Sequence, residues 1–223
     1  MSDIERTTDS ALARLYRDKR GLAAFVDETY PNNTAQPRQF YLFAAVIIPT
    51  DEVDLVRSHY AQIAGGVRWH TTDRAKDRDH EAIRNFVDYL ADNPDPLIVV
   101  LETDQDIMKL GRENARRHSF MALARILHEV HHVDLLVYER RRPGLEQRLD
   151  DASATAVRTA MPALVVYDAG AAAEPLLAGP DLIAWTLRRR IIAKDSWFDP
   201  FLGVVKMYRP NGSERTGMAK NSR

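Results

Sequence analysis

The chain has 223 residues, a net charge of −1 and no cysteine. Its length suits one domain, and its 45% apolar and 28% charged residues exclude a wholly disordered or fibrous chain. The lack of cysteine excludes disulfides, zinc–thiolate sites and cysteine nucleophiles, and the near-neutral charge leaves only a local patch for binding nucleic acid.

The first half of the chain predicts a helical arm followed by a β-hairpin. Apolar residues at helical spacing indicate an amphipathic arm within residues 1–20. Two strands, 21–30 and 40–49, are separated by a turn rich in Asn and Pro, and the second strand is apolar on both faces, which is typical of a central strand. Two helices follow, 50–64 and 79–90, with an ambiguous segment between them.

The second half of the chain alternates strands with helices. Strands are predicted at 97–101, 133–138 and 163–167, and helices at 106–131, 144–160 and 180–193. Strands joined through helices of this length usually pair in parallel. We therefore predict an α/β domain over 21–208, a mixed sheet flanked by helices, followed by a disordered tail over 209–223.

Acidic residues follow the predicted strands. Asp27 and Glu28 end the first strand, Glu139 and Asp168 follow two later strands, and Asp181 begins the last long helix. The carboxyl ends of parallel strands form the usual site of an open α/β sheet, so these carboxylates are expected to converge. Crowded carboxylates repel one another, and Mg²⁺ or Mn²⁺, which prefer oxygen ligands, would relieve that repulsion.

The position of each acid on its strand limits which of them share a site. Neighbours on a strand point to opposite faces of the sheet. Asp27 and Glu28 therefore face one site only if the strand has already ended between them. The alternative for any single acid is an ordinary loop residue or a helix cap, as for Asp181 in a first turn.

Two basic features predict nucleic acid as a partner. Arg140, Arg141 and Arg142 follow Glu139 directly and could hold a phosphate backbone, although a solvated loop explains them as well. His70 could orient a water molecule or the scissile phosphate; the alternative is a histidine that bonds to a loop carbonyl.

Four segments resemble the domain-of-unknown-function 3800 family. FVDETY followed by YLFAAVIIP resembles its opening, LLVYERRRP its middle strand, and VVYDAG through GPDLIAWTLRRR its ending. The resemblance spans residues 21–190 and implies a ribonuclease H-like fold and a metal-dependent nuclease that uses Mg²⁺ or Mn²⁺. It implies metal ligands at Asp27, Glu139, Asp168 and Asp181, and a catalytic set of Asp27, Glu28, Glu139 and Asp181.

The sequence departs from the family pattern at three places. Glu139 stands where the family usually has Asp, Ala169 where Ser often follows the strand, and Ala178 and Pro180 where Gln and Ala usually precede the helix Asp. Two alternatives to the nuclease therefore stay open. One is a catalytically decayed binding or assembly module on the same fold, and the other is a metal-dependent hydrolase of small phosphoesters.

The remaining expectations concern location and assembly. The polar, acidic start and the short apolar runs predict a cytoplasmic protein that does not associate with membranes. A homodimer through the N-terminal helix or through Trp185 and Trp197 is left open, because packing in the core accounts for the same residues.

Overall fold

The chain folds into a six-stranded mixed sheet with helices on both faces. The computed structural model describes residues 10–31, 39–66, 68–93, 97–103, 108–109, 111–141 and 143–215. The strands are β1 (Leu22–Thr29), β2 (Leu42–Pro49), β3 (Leu97–Glu102), β4 (Val133–Glu139), β5 (Val165–Ala169) and β6 (Val205–Tyr208). The α-helices within the described residues are α1 (Ser10–Asp18), α2 (Val53–Ile63), α3 (Thr71–Lys76), α4 (His80–Asp92), α5 (Arg112–Glu129), α6 (Leu145–Ala160) and α7 (Ala178–Ala193).

The strand order is β5-β4-β1-β2-β3-β6. β2 runs antiparallel to its neighbours β1 and β3, and the other neighbouring strands pair in parallel. The predicted hairpin is confirmed, since β1 and β2 pair along their full length, from Leu22 opposite Pro49 to Thr29 opposite Leu42. All strands except β2 point the same way, so their carboxyl ends lie at one edge of the sheet.

Strands joined through helices were expected to pair in parallel, and this is wrong for β2 and β3, although β3 does pair in parallel with β6. β2 and β3 pair antiparallel, with Leu42 opposite Glu102, although three helices lie between them in the chain. A parallel crossover requires that the connection carry the chain to the opposite end of the sheet. Here α2, α3 and α4 return it to the end at which β2 stops, so β3 starts beside β2 and runs back. The parallel pairing of β4 and β5 follows the prediction.

The alternation along β1 divides the core into two layers. Ala23 and Phe25 pack on one face with residues of α7, and Ala24 and Val26 pack on the other with residues of α5 and α6. β2 is buried on both faces, as its apolar sequence predicts. α1 joins the layer that contains α7, where its Leu12 is fully buried.

Several element boundaries differ from the predicted ones. α5 begins at Arg112, after Gly111 with a φ of +87°, whereas a helix from residue 106 was expected; residues 104–107 lie outside the described part. α7 begins two residues before Pro180, which the first turn of a helix tolerates because its N–H groups have no intrahelical partner. β5 ends at Ala169 and so includes Asp168, which was expected to follow the strand.

The chain after β6 folds back on the sheet as far as it is described. Glu214 forms a bridge with Tyr208, and the Arg215 guanidinium donates to Glu102 Oε2 at 2.5 Å. Disorder was predicted over residues 209–223; residues 209–215 have the structure just described, and residues 216–223 lie outside the described residues, as do residues 1–9 of the arm. None of the described helices is long and apolar enough to cross a membrane.

Gly179 in the first turn of α7 provides a test of how closely this helix packs. A Cβ there would lie 2.5 Å from Tyr60 Oη, and the Tyr60 ring is held edge-on against Phe86 at 4.6 Å between centroids. We expect Gly179→Ala to lower the free energy of unfolding by about 1–3 kcal/mol in urea denaturation, because the ring must shift. Gly203→Ala is the control, since its Cβ would meet no atom within 4 Å and the change should stay within about 0.5 kcal/mol. Equal losses in both variants would contradict the close packing.

Candidate functional site

Three acids from distant parts of the chain lie on one face of the sheet at its carboxyl edge. Val26 of β1 lies opposite Tyr138 of β4, and Asp27 and Glu139 are the next residues on these two strands. Side-chain alternation directs both toward the layer that contains α7. Asp181 lies in the first turn of α7, which packs on β1. The fold therefore gathers Asp27, Glu139 and Asp181, and we call these three residues the acid cluster.

The carboxylates of the acid cluster repel one another. Burial raises the pKa of Asp27 well above its usual range, and the charges of Asp181, Glu139 and Glu28 raise it further, in that order. Burial also raises the pKa of Glu139, and the charge of Asp181 adds to that rise. The ionised forms of these carboxylates are therefore destabilised by both desolvation and mutual repulsion, which is the environment that a bound cation would relieve.

Asp181 is fixed by the first residue of α3 rather than by its own helix. The Thr71 N–H donates to Asp181 Oδ2 at 2.7 Å and the Thr71 hydroxyl donates to the same oxygen at 2.8 Å. Trp69 Nε1 in turn donates to Thr71 Oγ1 at 2.8 Å, which fixes the hydroxyl. Burial raises the pKa of Asp181, and the hydrogen bonds from Thr71 and the charge of His70 oppose that rise. Both donors bind one oxygen, so Oδ1 has no hydrogen-bond partner among the described residues.

Two basic side chains face the acid cluster. Arg68 has a guanidinium nitrogen 3.7 Å from Glu139 Oε1, and His70 Nδ1 lies 2.9 Å from Asp73 Oδ2. The charges of Arg68 and His70 both lower the pKa of Glu139. His70 therefore lies beside the acid cluster, and its role in orienting a water molecule or the phosphate stays a prediction. Arg68 and Thr71 were missed, because each belongs to no motif and reaches the site only through the placement of α2 and α3.

The acid cluster opens into a large charged recess with a smaller cavity beside it. The recess measures about 860 Å³, and Asp27, Glu139 and Arg140 are among the residues that line it. The cavity measures about 310 Å³ and is bordered by Glu139 and Asp181. Asp27 is thus reached from the recess, Asp181 from the cavity and Glu139 from both.

Glu28 has a different partner. Arg116 of α5 donates through Nε to Glu28 Oε1 at 2.8 Å and through a terminal nitrogen to Oε2 at 2.9 Å, and it also pairs with the buried Asp150. Glu28 borders the recess, but both its oxygens are occupied by this guanidinium. The alternation along β1 therefore separates Asp27 from Glu28, as the unbroken strand requires, and Glu28 is left out of the acid cluster.

Asp168 is not brought together with the acid cluster. Asp168 lies opposite Tyr138 in the parallel register of β4 and β5, whereas Ala169 lies opposite Glu139. Its side chain is therefore on the face that carries α5 and α6, where Arg140 Nε donates to it. The resemblance implied a metal ligand at this position, but the structure places its carboxylate in a salt bridge on the other side of the sheet.

The arginines after β4 are largely engaged in ion pairs. Arg140 pairs with Asp168 but is half exposed at the rim of the recess. Arg141 donates to Asp150 at 2.7 and 2.8 Å and to Glu113 at 3.1 Å. Arg142 lies outside the described residues. Of the two predicted phosphate-binding arginines that the structure describes, Arg140 is therefore the more exposed, at the rim of the recess.

Comparison with known proteins gives no relative from which a function could be transferred. No protein-family model, no curated protein and no solved structure matches the chain. The function must therefore be inferred from the geometry and charges of the site.

The pairing of Arg116 yields a stability prediction. The Arg116 side chain is 4% exposed and that of Asp150 is 1% exposed, so Arg116→Ala leaves buried carboxylates with less compensation. We expect a loss of about 3 kcal/mol in the free energy of unfolding, with Arg141 limiting the damage at Asp150. Arg117→Ala, at an exposed position of the same helix, should change stability by no more than about 0.5 kcal/mol. A loss in Arg116→Ala no larger than in this control would contradict the role of Arg116 in neutralising the two acids.

The raised pKa values predict a dependence of stability on pH when no divalent cation is present. As the pH rises above the usual carboxyl range, the unfolded chain loses its protons first, and the folded chain loses stability until the raised pKa values of the acid cluster are passed. Asp27→Asn removes one of the repelling charges. We expect its Tm at pH 8 in EDTA to exceed that of the unmodified protein, by roughly 2–4 °C for each kcal/mol of repulsion relieved.

The Tm gain of Asp27→Asn should depend on pH. At pH 4, where the raised pKa values keep the acid cluster mostly protonated, the Tm gain of Asp27→Asn should shrink. Asp88→Asn, at an exposed position of α4, is the matched control and should show no gain at either pH. A gain at pH 8 that also occurs in the control, or a Tm of Asp27→Asn below that of the unmodified protein, would show that the acids do not repel one another.

Proposed function

We propose that the protein is a divalent-cation-dependent nuclease with a ribonuclease H-like fold, which hydrolyses phosphodiester bonds at the acid cluster. The observation that carries this proposal is the electrostatic penalty shared by Asp27, Glu139 and Asp181, which come from β1, β4 and α7 to one face. Like charges crowded in a partly buried site are costly unless a cation lies among them. Carboxylate oxygens are the ligands preferred by Mg²⁺ and Mn²⁺.

The order of the elements supports the fold assignment. The sheet opens with a hairpin, and β4 and β5 are then added in parallel beside β1 through α5 and α6. This is the arrangement expected from the resemblance, an opening hairpin followed by strand–helix units. It places the acids of β1 and β4 side by side at the carboxyl edge.

The three carboxylates have the chemistry that a hard cation requires, although their oxygens do not form a closed set of ligands. Among the described residues, no three His, Asp or Glu side chains converge closely enough to form a ready-made metal site. The Glu139 side chain is directed toward Arg68 and is 36% exposed, so a change of rotamer is sterically open to it. Asp181 Oδ1 accepts no hydrogen bond from the described residues. Asp27, Glu139 and Asp181 are therefore the residues that would hold the ion.

The chain's own groups would perform the remaining tasks. A bound divalent cation supplies charge stabilisation as a Lewis acid on a phosphoryl oxygen. Thr71 keeps Asp181 in place through two hydrogen bonds, and Arg68 and His70 offer positive or hydrogen-bonding groups to a phosphate in the recess. Arg140 at the rim would hold the backbone without reading sequence.

A catalytically decayed binding module on the same fold is the second candidate. It is favoured by the engagement of Glu28 with Arg116 and of Asp168 with Arg140, because two acids of the implied site are already neutralised. Such a module would retain the recess and bind nucleic acid without cleaving it.

Calorimetric titration with Mn²⁺ tests the ion site. We expect the unmodified protein and Asp88→Ala to bind Mn²⁺ and to gain thermal stability with it, since the ion binds only the folded chain. Asp27→Ala and Asp181→Ala should lose most of this binding. Equal binding by all four proteins would place the ion elsewhere, and no binding by any of them would end the proposal.

A cleavage assay separates the nuclease from the binding module. Single-stranded, duplex and hybrid oligonucleotides and a small aryl phosphate ester are incubated with the same four proteins, purified in parallel, with Mn²⁺ or EDTA. We expect cleavage of at least one oligonucleotide that falls roughly 100-fold or more in Asp27→Ala and is unchanged in Asp88→Ala. Binding of Mn²⁺ without cleavage of any substrate would favour the binding module, and cleavage of the aryl ester alone would favour a small-phosphoester hydrolase.

A further inference from the structure

A mainly apolar cavity adjoins the acid cluster. Its volume of about 310 Å³ lies at the lower end of the range for small-molecule sites, roughly 300–1,000 Å³. Its apolar wall comes from α2, from the loop before α3 and from the start of α7, and includes Ala61, Ala64, Trp69, Leu177 and Ala178. No step of the proposed hydrolysis uses this space.

Tyr60 adds an aromatic side chain to the cavity wall. Its ring is fixed edge-on by Phe86 at 4.6 Å and Tyr89 at 5.9 Å. The hydroxyl oxygen is enclosed against Gly179 and does not reach the cavity. The wall therefore offers a rigid, mainly apolar surface to a flat ligand group.

The cavity and the recess share one wall. Arg68, His70 and Glu139 line both, and Asp181 borders the cavity. A single molecule can therefore place a flat, mainly apolar group in the cavity while its anionic group lies at the acid cluster. A nucleotide has this construction, with a base that can accept or donate hydrogen bonds at its edge and a phosphate attached through the sugar.

We propose that the cavity binds one unpaired base of the substrate strand, and that the protein acts on single-stranded nucleic acid. This inference rests on the proposed nuclease function, for which it names the substrate class. A base inside a duplex reaches such a cavity only after unpairing and unstacking, which costs a few kcal/mol, whereas a single strand offers its bases directly. Because the wall of the cavity is mainly apolar and every base has an apolar face, the cavity accepts different bases.

Filling the cavity is the first test. Ala61 is half-buried on α2 and lines the cavity, so Ala61→Leu places additional carbon atoms in it. Ala152→Leu, at an exposed position of α6, is the matched control. Adenosine 5′-monophosphate and ribose 5-phosphate, which lacks the base, are titrated calorimetrically with Mn²⁺ present. We expect the nucleotide to bind roughly tenfold or more tightly than the sugar phosphate, with this difference lost in Ala61→Leu and kept in Ala152→Leu.

The second test needs no variant, so it does not depend on a larger side chain being tolerated. In the unmodified protein, adenosine 5′-monophosphate should bind roughly tenfold or more tightly than ribose 5-phosphate, because only the nucleotide carries a base for the cavity. Equal affinities would overturn the proposal.

The outcomes for the base-binding cavity and for the nuclease can be told apart. Equal affinities for the two phosphates, or cleavage of a duplex as fast as of the same single strand, would overturn the base-binding cavity while leaving the nuclease in place. Cleavage of the single strand roughly tenfold faster than of the duplex would support it. Tight nucleotide binding that is lost in Ala61→Leu, without cleavage of any nucleic acid, would support the cavity and overturn the nuclease.

Discussion

The pleat of β1 at its last residues is the constraint on which the site depends. Two adjacent acids, Asp27 and Glu28, are still within the strand, so they must point to opposite faces of the sheet. Glu28 meets the guanidinium of Arg116 and becomes part of a compensated ion pair. Asp27 meets Glu139 and Asp181 and becomes part of an uncompensated group. One local geometric rule thus assigns a structural role to one acid and a chemical role to its neighbour.

The acids of the two faces differ in how their charge is compensated. On the face with α5 and α6, Arg116 and Arg141 bind the acids Glu28, Asp150 and Glu113 at hydrogen-bonding distance. In the acid cluster, Glu139 has only Arg68, at 3.7 Å and from an exposed position. Repulsion within the acid cluster is therefore built into the fold, and folding energy from the apolar layers must offset it. Sites of this kind are often maintained for function, since structure alone would favour their removal.

Much of the fold could be predicted from apolar periodicity. The long apolar run of β2 predicts a central strand, and the stripe of α4 predicts its helix within two residues. The direction of β3 could not be predicted, because it depends on where three helices return the chain. The face on which Asp168 lies was also missed, because β5 begins and ends two residues later than predicted. Asp168 therefore lies inside the strand, where side-chain alternation decides its face, and not in a loop.

The acids of the site were accessible from the sequence, but their surroundings were not. Asp27, Glu139 and Asp181 could be singled out because each follows a strand or begins a helix. Thr71 and Tyr60 carry no pattern, since a threonine at the start of a short helix and a tyrosine on an apolar face are ordinary features. Their importance arises only from tertiary packing, which brings Thr71 to Asp181 and places Tyr60 in the cavity wall. The roles of the acids as metal ligands remain predictions.

The double hydrogen bond from Thr71 to Asp181 joins two helix starts that are 110 residues apart in the chain. Because Thr71 is also the first residue of α3, any insertion or deletion in the connection that leads into it would pull on the carboxylate directly. That connection is therefore expected to be intolerant of length variation, unlike most surface loops. The geometry of the site is thus set partly by a segment that carries none of its acids.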